Sequence, residues 1–467
     1  MTKRQIAALF VLCLAVFMVA VDGTVISVAV PAISEQLRPD YTQILWIGDV
    51  YSFVLAGLLV TMGNIGDRIG RRRLLLGAAV AFGVASAAAA MAPTPELLIA
   101  ARALQGVAGA GLMPPTLALL RTVFAEERLR TRAVGLWSAS GAAGAAMGPT
   151  VAGALLEHFY WGSVLLVNLP VVALVIVVGA LVLPEARSES DHPLDPASVL
   201  LSTAGILGVV YGITELSHSG LGFWPAYLAL GLGSLLVWVF LRRQYRLPVP
   251  LLDLQLFEQA RFGAAILAQL MVVFANVGAL FFLPIFLRQV GGFSALQSGL
   301  ALLPQSLVSL VVASNAGRLI RAWGHRGAMA GGLGVGAAGL ILLGLTVSIS
   351  YPAMVVPLMM LGFSFGAVVT CVSDLVLTSA SADRVGAATG ISETSFELGN
   401  ALGIALTGST VAVLYFLVTG TAAHFTEAVD PHGFIVSLAG YCVIGGVLLA
   451  AVAWVVSRAV REPVDQA

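Results

Sequence analysis

Long apolar segments, separated by short polar stretches, follow one another along the whole chain of 467 residues. A helix needs about 20 mainly apolar residues to cross the hydrocarbon of a bilayer. Several segments of that length, such as 133–156 and 262–287, contain no charged residue. The pattern predicts an all-α integral membrane protein with fourteen transmembrane helices. The predicted spans are 6–33, 44–65, 74–92, 96–120, 133–156, 162–183, 197–217, 224–241, 262–287, 297–316, 328–348, 352–377, 388–418 and 434–456.

The distribution of basic residues predicts the orientation of these spans. An even number of spans places both termini on one side of the membrane. If that side is the cytoplasm, every basic residue except Arg38, Arg102 and Arg288 lies in or beside an inner connection. Arg102 lies within a span. This asymmetry follows the positive-inside rule, and we expect a multi-pass protein of the cytoplasmic (inner) membrane with both termini in the cytoplasm.

Composition narrows the class of protein further. Hydrophobic residues make up 59% of the chain and charged residues 10%, whereas soluble domains contain about 25% charged residues. The lipid bilayer is therefore the expected solvent, and the zero net charge argues against nucleic acid as a partner. The cysteines lie far apart, at positions 13, 371 and 442, which fits neither a disulfide framework nor a metal site. Lys3 is the only lysine and no phosphate-binding GxxxxGK[ST] loop is present, so we expect that ATP bound to this chain is not the energy source. We also expect no enzyme activity and no metal or other bound cofactor.

An internal repeat appears when the chain is compared with itself at an offset of about 255 residues. GNIGDRIGRRR (63–73) aligns with GRLIRAWGHRG (317–327). A second set of aligned glycines pairs Gly135, Gly144, Gly148 and Gly153 with Gly390, Gly399, Gly403 and Gly408. The repeat predicts two six-helix halves, 1–187 and 247–467, with an additional two-helix hairpin at 188–246. Transporters built from such repeats hold substrate near the midplane.

Four motifs resemble those of a known family. GNIGDRIGRRR resembles the loop signature between helices 2 and 3 of the major facilitator superfamily, and RALQG (102–106) resembles its helix-4 motif. GAAGAAMGPTVAG (141–153) resembles its antiporter motif in helix 5. DGTVISVAVPAI (22–33) resembles the helix-1 motif of the fourteen-helix drug:proton antiporter branch, which includes exporters of quaternary ammonium compounds and dyes. The resemblance implies the major facilitator fold and transport driven by the proton gradient.

The loop signature suggests a gate made of charged residues. Glycines allow sharp backbone turns, and Asp67 can lie against the positive N-terminal end of a neighbouring helix. The second copy has Arg321 in place of Asp67, so we expect a one-sided latch. Arg72 and Arg73 need no role beyond the positive-inside rule. The gating residues implied by the resemblance are Gly63, Asp67, Gly70 and Arg71.

Ionisable residues within spans are the candidates for chemistry, because each costs about 2.5–3.5 kcal/mol on insertion scales. Asp22 matches the acidic residue of the helix-1 motif, and we interpret Asp22, Arg102 and Asp49 as proton-coupling residues. The alternative for Asp22 is a structural pair with Arg102. Asp49 lies nearer the outer face, where it can simply be hydrated.

The second half contains a separate group of candidates. Glu393 and Glu397 are four residues apart and share one helix face, and Phe396 lies beside them. Two carboxylates and an aromatic face suit a cationic compound. We interpret Glu393, Glu397, Phe396 and Asp374 as substrate-binding residues, although Asp374 can equally be a boundary residue at the inner end of its span.

The antiporter motif is defined by small residues. Gly144, Gly148, Pro149 and Gly153 allow close helix approach. The resemblance implies packing against 297–316 that closes a leak path, and the alternative is plain helix packing.

These observations together predict a proton-coupled antiporter that exports lipophilic, cationic drugs or dyes by alternating access. The expected partners are small substrates, protons and lipid, and we expect a monomer. One alternative is a dedicated exporter of one natural product or antibiotic, which the alanine- and arginine-rich composition of a GC-rich genome would suit. A second is a non-transporting sensor or lipid-handling protein, against which the embedded acids argue. A third is an uptake symporter, which the glycine-rich helix 5 opposes.

Overall fold

The computed structural model describes residues 1–39, 41–187, 195–219, 223–247, 250, 252, 254–293, 295–379, 385–420 and 430–460. Within these ranges the chain is helical and contains no strand. The helices are α1 (Lys3–Leu37), α2 (Tyr41–Ile69), α3 (Arg71–Ala90), α4 (Pro95–Val123), α5 (Glu127–Leu156), α6 (Ser163–Leu166), α7 (Asn168–Val182), α8 (Pro196–Ser219), α9 (Trp224–Gln244), α10 (Gln255–Glu258), α11 (Ala260–Gln289), α12 (Ala295–Leu300), α13 (Leu303–Ser314), α14 (Ala316–Thr346), α15 (Tyr351–Ser379), α16 (Val385–Thr419) and α17 (Pro431–Ala459).

The prediction of fourteen spans is confirmed. Thirteen helices in the described ranges are long and apolar enough to cross a membrane, and the number becomes fourteen when α5 is counted as one span bent by 41° between Ala145 and Thr150. All fourteen predicted segments coincide with a helix or with two consecutive helices. Several helices extend past the predicted ends, because the polar residues flanking a span continue the helix into the interfacial region.

Three breaks within helices were not predicted. The span predicted at 162–183 consists of α6 and α7, which are interrupted at Val167, and Pro170 lacks the amide that would continue the hydrogen-bond ladder. The span predicted at 297–316 is likewise divided into α12 and α13, with Pro304 in the first turn of α13. The helix predicted to start at 328 begins at Ala316 and breaks at Gly324, where φ is 66°.

The first compact unit comprises Met1–Leu207, Gly233–Leu254 and Val376–Thr394. In this unit α1 packs against α5 and α7, while α4 packs against α2 and α3. An apolar cluster fills the space around the C-terminal half of α1. It contains Val21, Val25, Ile26, Ala29, Ile33, Ile47, Ala89, Ala90, Ala92, Leu98, Ala101, Ala152, Trp161, Val164 and Leu165. This core excludes water from one end of the unit.

The second unit comprises Gly208–Leu232, Gln255–Leu375 and Ser395–Ala467. Here α17 packs against both α14 and α11. The division at 1–187, 188–246 and 247–467, drawn from the sequence repeat, stays a prediction.

Each unit contains a glycine-bearing helix in close contact with the first helix of its half. A Cβ atom on Gly144 of α5 would lie 2.5 Å from the carbonyl oxygen of Phe17, and one on Gly399 of α16 would lie 2.8 Å from that of Leu270. One turn later, Gly148 meets Thr24 and Gly403 meets the backbone of Phe274. The two contacts have the same register, as an internal repeat would give.

The additional hairpin is closed by side-chain contacts between the start of α8 and the end of α9. Asp195 accepts two hydrogen bonds from Arg243, at 2.7 and 3.0 Å, and a third from the Ser198 hydroxyl at 2.6 Å. Together the Arg243 guanidinium and the Ser198 hydroxyl hold the pKa of the Asp195 carboxyl well below its usual range. Gly205 of α8 lets the backbone approach Val237 of α9 closely. These contacts hold α8 and α9 together as one element.

Candidate functional site

A buried polar cluster surrounds Asp22 in the first unit. Arg102 Nη1 donates to Asp22 Oδ2 at 2.6 Å, and Asn168 Nδ2 donates to Asp22 Oδ1 at the same distance. Gln105 Nε2 donates to Oδ1 at 3.2 Å. The carboxylate therefore receives hydrogen bonds on both oxygens, from residues of two other helices.

Ser86 completes this arrangement, which we call the Asp22 cluster (Asp22, Ser86, Arg102, Gln105 and Asn168). Its hydroxyl oxygen lies 2.8 Å from Gln105 Nε2 and 3.3 Å from Asn168 Nδ2. Gln105 Oε1 in turn accepts from Arg102 Nη1 at 3.0 Å. All five residues are buried, with at most 1% of their surface exposed. Helices α1, α3, α4 and α7 thus meet through polar side chains in an otherwise apolar region.

The guanidinium of Arg102 makes its hydrogen bonds through Nη1. Its Nε and Nη2 atoms have no hydrogen-bond partner within the described part of the chain. The ring of Tyr51 lies 4.5 Å from Arg102 Cζ, a distance at which a cation is attracted to an aromatic face. An ion pair this deeply buried is strongly destabilised when one partner loses its charge, by about 3–5 kcal/mol. Loss of either charge would therefore leave the other buried without compensation.

The pairing of Asp22 with Arg102, considered from the sequence, is present in the structure. Ser86, Gln105 and Asn168 also belong to the cluster and were not predicted. Gln105 lies inside the RALQG motif, so the motif was the available signal. Ser86 and Asn168 are single polar residues within apolar segments, and no spacing identified them. Asp49 lies in α2, but its side chain is outside the described residues, and its role in proton coupling stays a prediction.

Asp67 forms the centre of a second buried site, close to the end of α2. Its Oδ1 atom accepts from Arg71 Nε and Nη2, at 2.9 and 2.8 Å. Its Oδ2 atom accepts from the backbone amide of Ala387 at 3.1 Å. Because α16 begins at Val385, this amide lies in the first turn of a helix, where the positive end of the dipole favours a carboxylate. The expected placement of Asp67 is confirmed.

The turn between α2 and α3 depends on Gly70 alone. Gly70 has φ 110°, a conformation that residues with a Cβ atom rarely adopt. The prediction that Gly63 also forms the turn is wrong, because α2 continues without a break to Ile69 and Gly63 lies within it. The side chain of Glu185 occupies the space beside Gly70, so a larger residue at position 70 would also collide with this carboxylate.

The segment after α7 is bound to the beginning of α3. The Glu185 carboxylate accepts the amide of Arg72 at 3.2 Å, and the Arg71 amide donates to the Ala186 carbonyl at 2.8 Å. Arg72 donates through Nη2 to the Ala180 carbonyl. Its guanidinium thereby caps the C-terminal end of α7, and the interpretation of Arg72 as a positive-inside residue stays a prediction.

Residues at the start of α1 cap two further helices. Arg4 Nε donates to the Val182 carbonyl at 3.1 Å, and Gln5 Nε2 donates to the Val123 carbonyl at 3.2 Å. These carbonyls belong to the last turns of α7 and α4, which lack partners within their own helices. The start of α1 is thereby bound to the ends of α7 and α4.

The second copy of the loop signature contains a different polar contact. Gly324 has a positive φ, as Gly70 does. The following residue, His325, places Nε2 3.1 Å from Oδ2 of Asp374 on α15. Asp374 is buried in the second unit. The second copy therefore carries its own polar contact, although it lacks a counterpart of Asp67, and Asp374 has a partner other than substrate.

The remaining predicted residues lie on α16 and α5. Glu393 is buried and Glu397 is half-buried, one helical turn apart, and the Phe396 ring packs edge-on against Phe365 at 6.2 Å. Gly153 of the antiporter motif has no atom near the position of a Cβ. The Pro149 side chain is outside the described residues. The predicted packing of this motif against 297–316 stays a prediction.

The chain has enough spans to cross a bilayer many times. Two of the spans share a buried ion pair, and a charged contact lies at the end of α2. Together these features define a multi-pass membrane transporter. The model of the Major Facilitator Superfamily matches residues 12–404. The chain belongs to this superfamily, and it lies in the cell membrane.

Similar proteins include several exporters. The chain is 40% identical to the multidrug efflux pump LfrA of Mycolicibacterium smegmatis, over 88% of this chain and 82% of that protein. It is 35% identical to the methyl viologen resistance protein SmvA of Salmonella typhimurium, over 87% of this chain and 82% of that protein. The crystal structure of the human organic anion transporter MFSD10 superposes with a TM-score of 0.69, covering 96% of this chain and 100% of that one at 15% identity. This last similarity concerns the fold alone.

Proposed function

We propose that this protein is a proton-coupled antiporter that exports lipophilic, cationic drugs or dyes across the cytoplasmic membrane by alternating access. The observation that carries the proposal is the fully buried Asp22–Arg102 ion pair, because an ionisable pair at this depth is costly and marks a proton or substrate pathway. The relatives support the direction of transport, since LfrA is a multidrug efflux pump and SmvA confers methyl viologen resistance.

Asp22 carries the proton in this proposal. In the arrangement described, it is paired with Arg102 and held as a carboxylate. When the surroundings of Arg102 change, the carboxylate loses its compensating charge and takes up a proton. Return to the paired arrangement releases the proton. Asp49 is proposed to assist at the outer end of the same unit.

Substrate is proposed to bind at Glu393, Glu397 and Phe396, where carboxylates and an aromatic face attract cations. Methyl viologen is a dication, so the similarity to SmvA favours a site with more than one carboxylate. Asp374 remains a candidate for this site, although its contact with His325 also suits a role in gating. Gly70, Asp67 and Arg71 are proposed to form the gate, with both termini in the cytoplasm and a monomer as the working unit.

A dedicated exporter of one natural product is the second candidate. It is favoured by relatives such as the tetracenomycin C resistance and export protein of Streptomyces glaucescens, 30% identical, and the puromycin resistance protein pur8 of Streptomyces alboniger, 32% identical over 99% of this chain. A panel of substrates separates the two candidates, because a dedicated exporter transports one compound and a multidrug pump transports several.

The test is transport into everted vesicles with an imposed proton gradient, using ethidium as a monovalent substrate and methyl viologen as a divalent one. We expect uptake of both by the unaltered protein and loss of both, with loss of substrate-induced proton release, in Asp22→Asn. Glu393→Gln and Glu397→Gln should weaken methyl viologen transport more than ethidium transport, because a second positive charge gains most from a second carboxylate.

Arg73→Gln is the matched control, since Arg73 is exposed and 3.7 Å from Glu185. Proton release by Asp22→Asn equal to that of the unaltered protein would remove Asp22 from the pathway. Equal loss of both substrates in the glutamate variants would assign Glu393 and Glu397 to proton transfer instead.

A further inference from the structure

Asn168 makes a contact with Asp22 that is as short as the ion pair itself. Both Asn168 Nδ2 and Arg102 Nη1 lie 2.6 Å from a carboxylate oxygen of Asp22, one on each oxygen. Asn168 is the first residue of α7, immediately after the helix break at Val167. Asn168 therefore supplies an amide donor to the buried cluster, although α7 itself contains no charged residue.

The Asp22 carboxylate can only accept hydrogen bonds, so it fixes the direction of this amide, and Ser86 provides a second acceptor. Its oxygen lies within hydrogen-bond distance of both Asn168 Nδ2 and Gln105 Nε2, at 3.3 and 2.8 Å. Both amides thus present their NH2 groups to the shared acceptors, Asp22 and Ser86. A hydrogen bond from a neutral donor to a carboxylate is roughly twice as strong as one between neutral groups, so Asn168 and Gln105 bind the Asp22 carboxylate more strongly than they would bind a neutral acceptor.

We propose that Asn168 and Ser86 are positioning residues of the proton site and set the pH at which Asp22 takes up its proton. The proposal rests on the role of Asp22 in proton coupling given above. Asn168 acts directly on the carboxylate, and Ser86 acts through the amides of Asn168 and Gln105.

The charged and titratable groups around Asp22 come from few elements. Arg102 of α4 and Tyr51 of α2 approach the cluster. The ionisable residues of α3 and α5 lie in the first two turns of those helices, and α6 and α7 contain none. The side chain of Asp49 in α2 is outside the described part. Neutral substitutions at Asn168 and Ser86 therefore leave all of these charges in place, and their effect on a pH profile reports the lost hydrogen bonds.

The experiment measures proton release on substrate addition, with ethidium, by the purified full-length protein between pH 5 and 9. Asn168→Leu removes the donor at similar volume. We expect the midpoint of the pH profile to rise by about one to two pH units, the equivalent of one hydrogen bond to a charged group. Asn168→Gln, which keeps the amide, should recover part of this shift. Ser86→Ala should raise the midpoint by a smaller amount.

Ser202→Ala is the matched control for Ser86→Ala, because Ser202 is equally buried but bonds only to the Val199 carbonyl of its own helix, among the contacts described. Its midpoint should equal that of the unaltered protein. If Asn168→Leu does not fold, Ser86→Ala decides the question, since it removes a single oxygen.

The outcomes separate this proposal from the one on which it rests. If Asp22→Asn still releases protons, Asp22 is not the proton carrier and the proposed function is wrong in that respect. If Asp22→Asn abolishes release while Asn168→Leu and Ser86→Ala leave the midpoint unchanged, only the positioning role is overturned. A midpoint that rises in these two variants and not in Ser202→Ala supports it.

Discussion

Asp67 uses its two carboxylate oxygens for different partners. One oxygen binds the Arg71 guanidinium and the other binds the amide of Ala387 in the first turn of α16. Charge strengthens both contacts. The residue therefore holds the start of α16 against the end of α2.

Replacing Asp67 tests whether this contact serves gating. Asp67→Asn keeps the size of the side chain and removes the charge, so we expect a folded, membrane-inserted protein whose efflux is reduced about tenfold, within the usual range of coupling energies. Efflux is measured in cells at equal expression. Arg73→Gln is the control and should transport within about twofold of the unaltered protein. Unchanged efflux in Asp67→Asn would show that the contact is only structural.

The residues of the Asp22 cluster illustrate what can be predicted from sequence at this scale. Asp22 and Arg102 were identified because a charged residue in a span is rare and costly. Asn168 and Ser86 were not, because a single uncharged polar residue in a span costs much less and occurs often. Only the fold, which brings α3 and α7 to the same point, distinguishes these two from other polar residues.

At the scale of elements, the two glycine-bearing helices show the same contact in different chemical surroundings. In the first unit the register of this contact places Asp22 on α1. In the second unit Gly399 and Gly403 meet Leu270 and Phe274, which lie 253 residues after Phe17 and Val21, so the position equivalent to Asp22 is Ala275, which is buried. The repeat thus preserves the packing of these helices, while only the first copy has a carboxylate at this position.

Substitutions in α5 should separate packing from sequence motif. Gly144→Ala would bring a methyl group against the Phe17 carbonyl, and overpacking of this kind costs about 1–3 kcal/mol. Gly153→Ala belongs to the same motif but has open space around it. We therefore expect a clearly lower unfolding temperature for Gly144→Ala and no change for Gly153→Ala.

Unfolding can be followed with a thiol-reactive fluorophore in detergent, because Cys371 and Cys442 are buried in the folded protein. Equal unfolding temperatures for the two alanine variants would contradict the contact between α5 and α1.

The approximate positions of the spans were predictable, whereas the exact ends of the helices and the breaks within them were not. The length of each apolar run determines where a helix can cross the membrane. Whether Pro170 interrupts a helix or is tolerated depends on neighbouring helices that can satisfy the released carbonyl groups. The segment before Gly324 is helical, although its polar residues suggested a loop. Its sequence shows no pattern of apolar residues that would identify a lipid-facing helix.

At the scale of the whole molecule, the single lysine gives a direct test of orientation. Lys3 is exposed at the start of α1, and the positive-inside rule places it in the cytoplasm. A membrane-impermeant amine reagent should therefore label Lys3 in everted vesicles and not in intact cells. Lys3→Arg, which keeps the charge, identifies the labelled site by peptide mass. Labelling of Lys3 in intact cells would contradict the orientation and, with it, the assignment of every inner connection.

The link between Glu185, Ala186 and the start of α3 has a consequence for how a fourteen-helix chain can arise from a twelve-helix one. Among the described residues, the contacts of this segment with the start of α3 end at Ala186, and the hairpin that follows is closed by its own pair, Asp195 and Arg243. An insertion after Ala186 therefore adds two helices without disturbing the link to α3. The hairpin also packs on α2, where Gly57 faces Leu207 and the Thr203 carbonyl, so a chain that gains or loses the hairpin keeps this link and changes the surface of α2 that faces it.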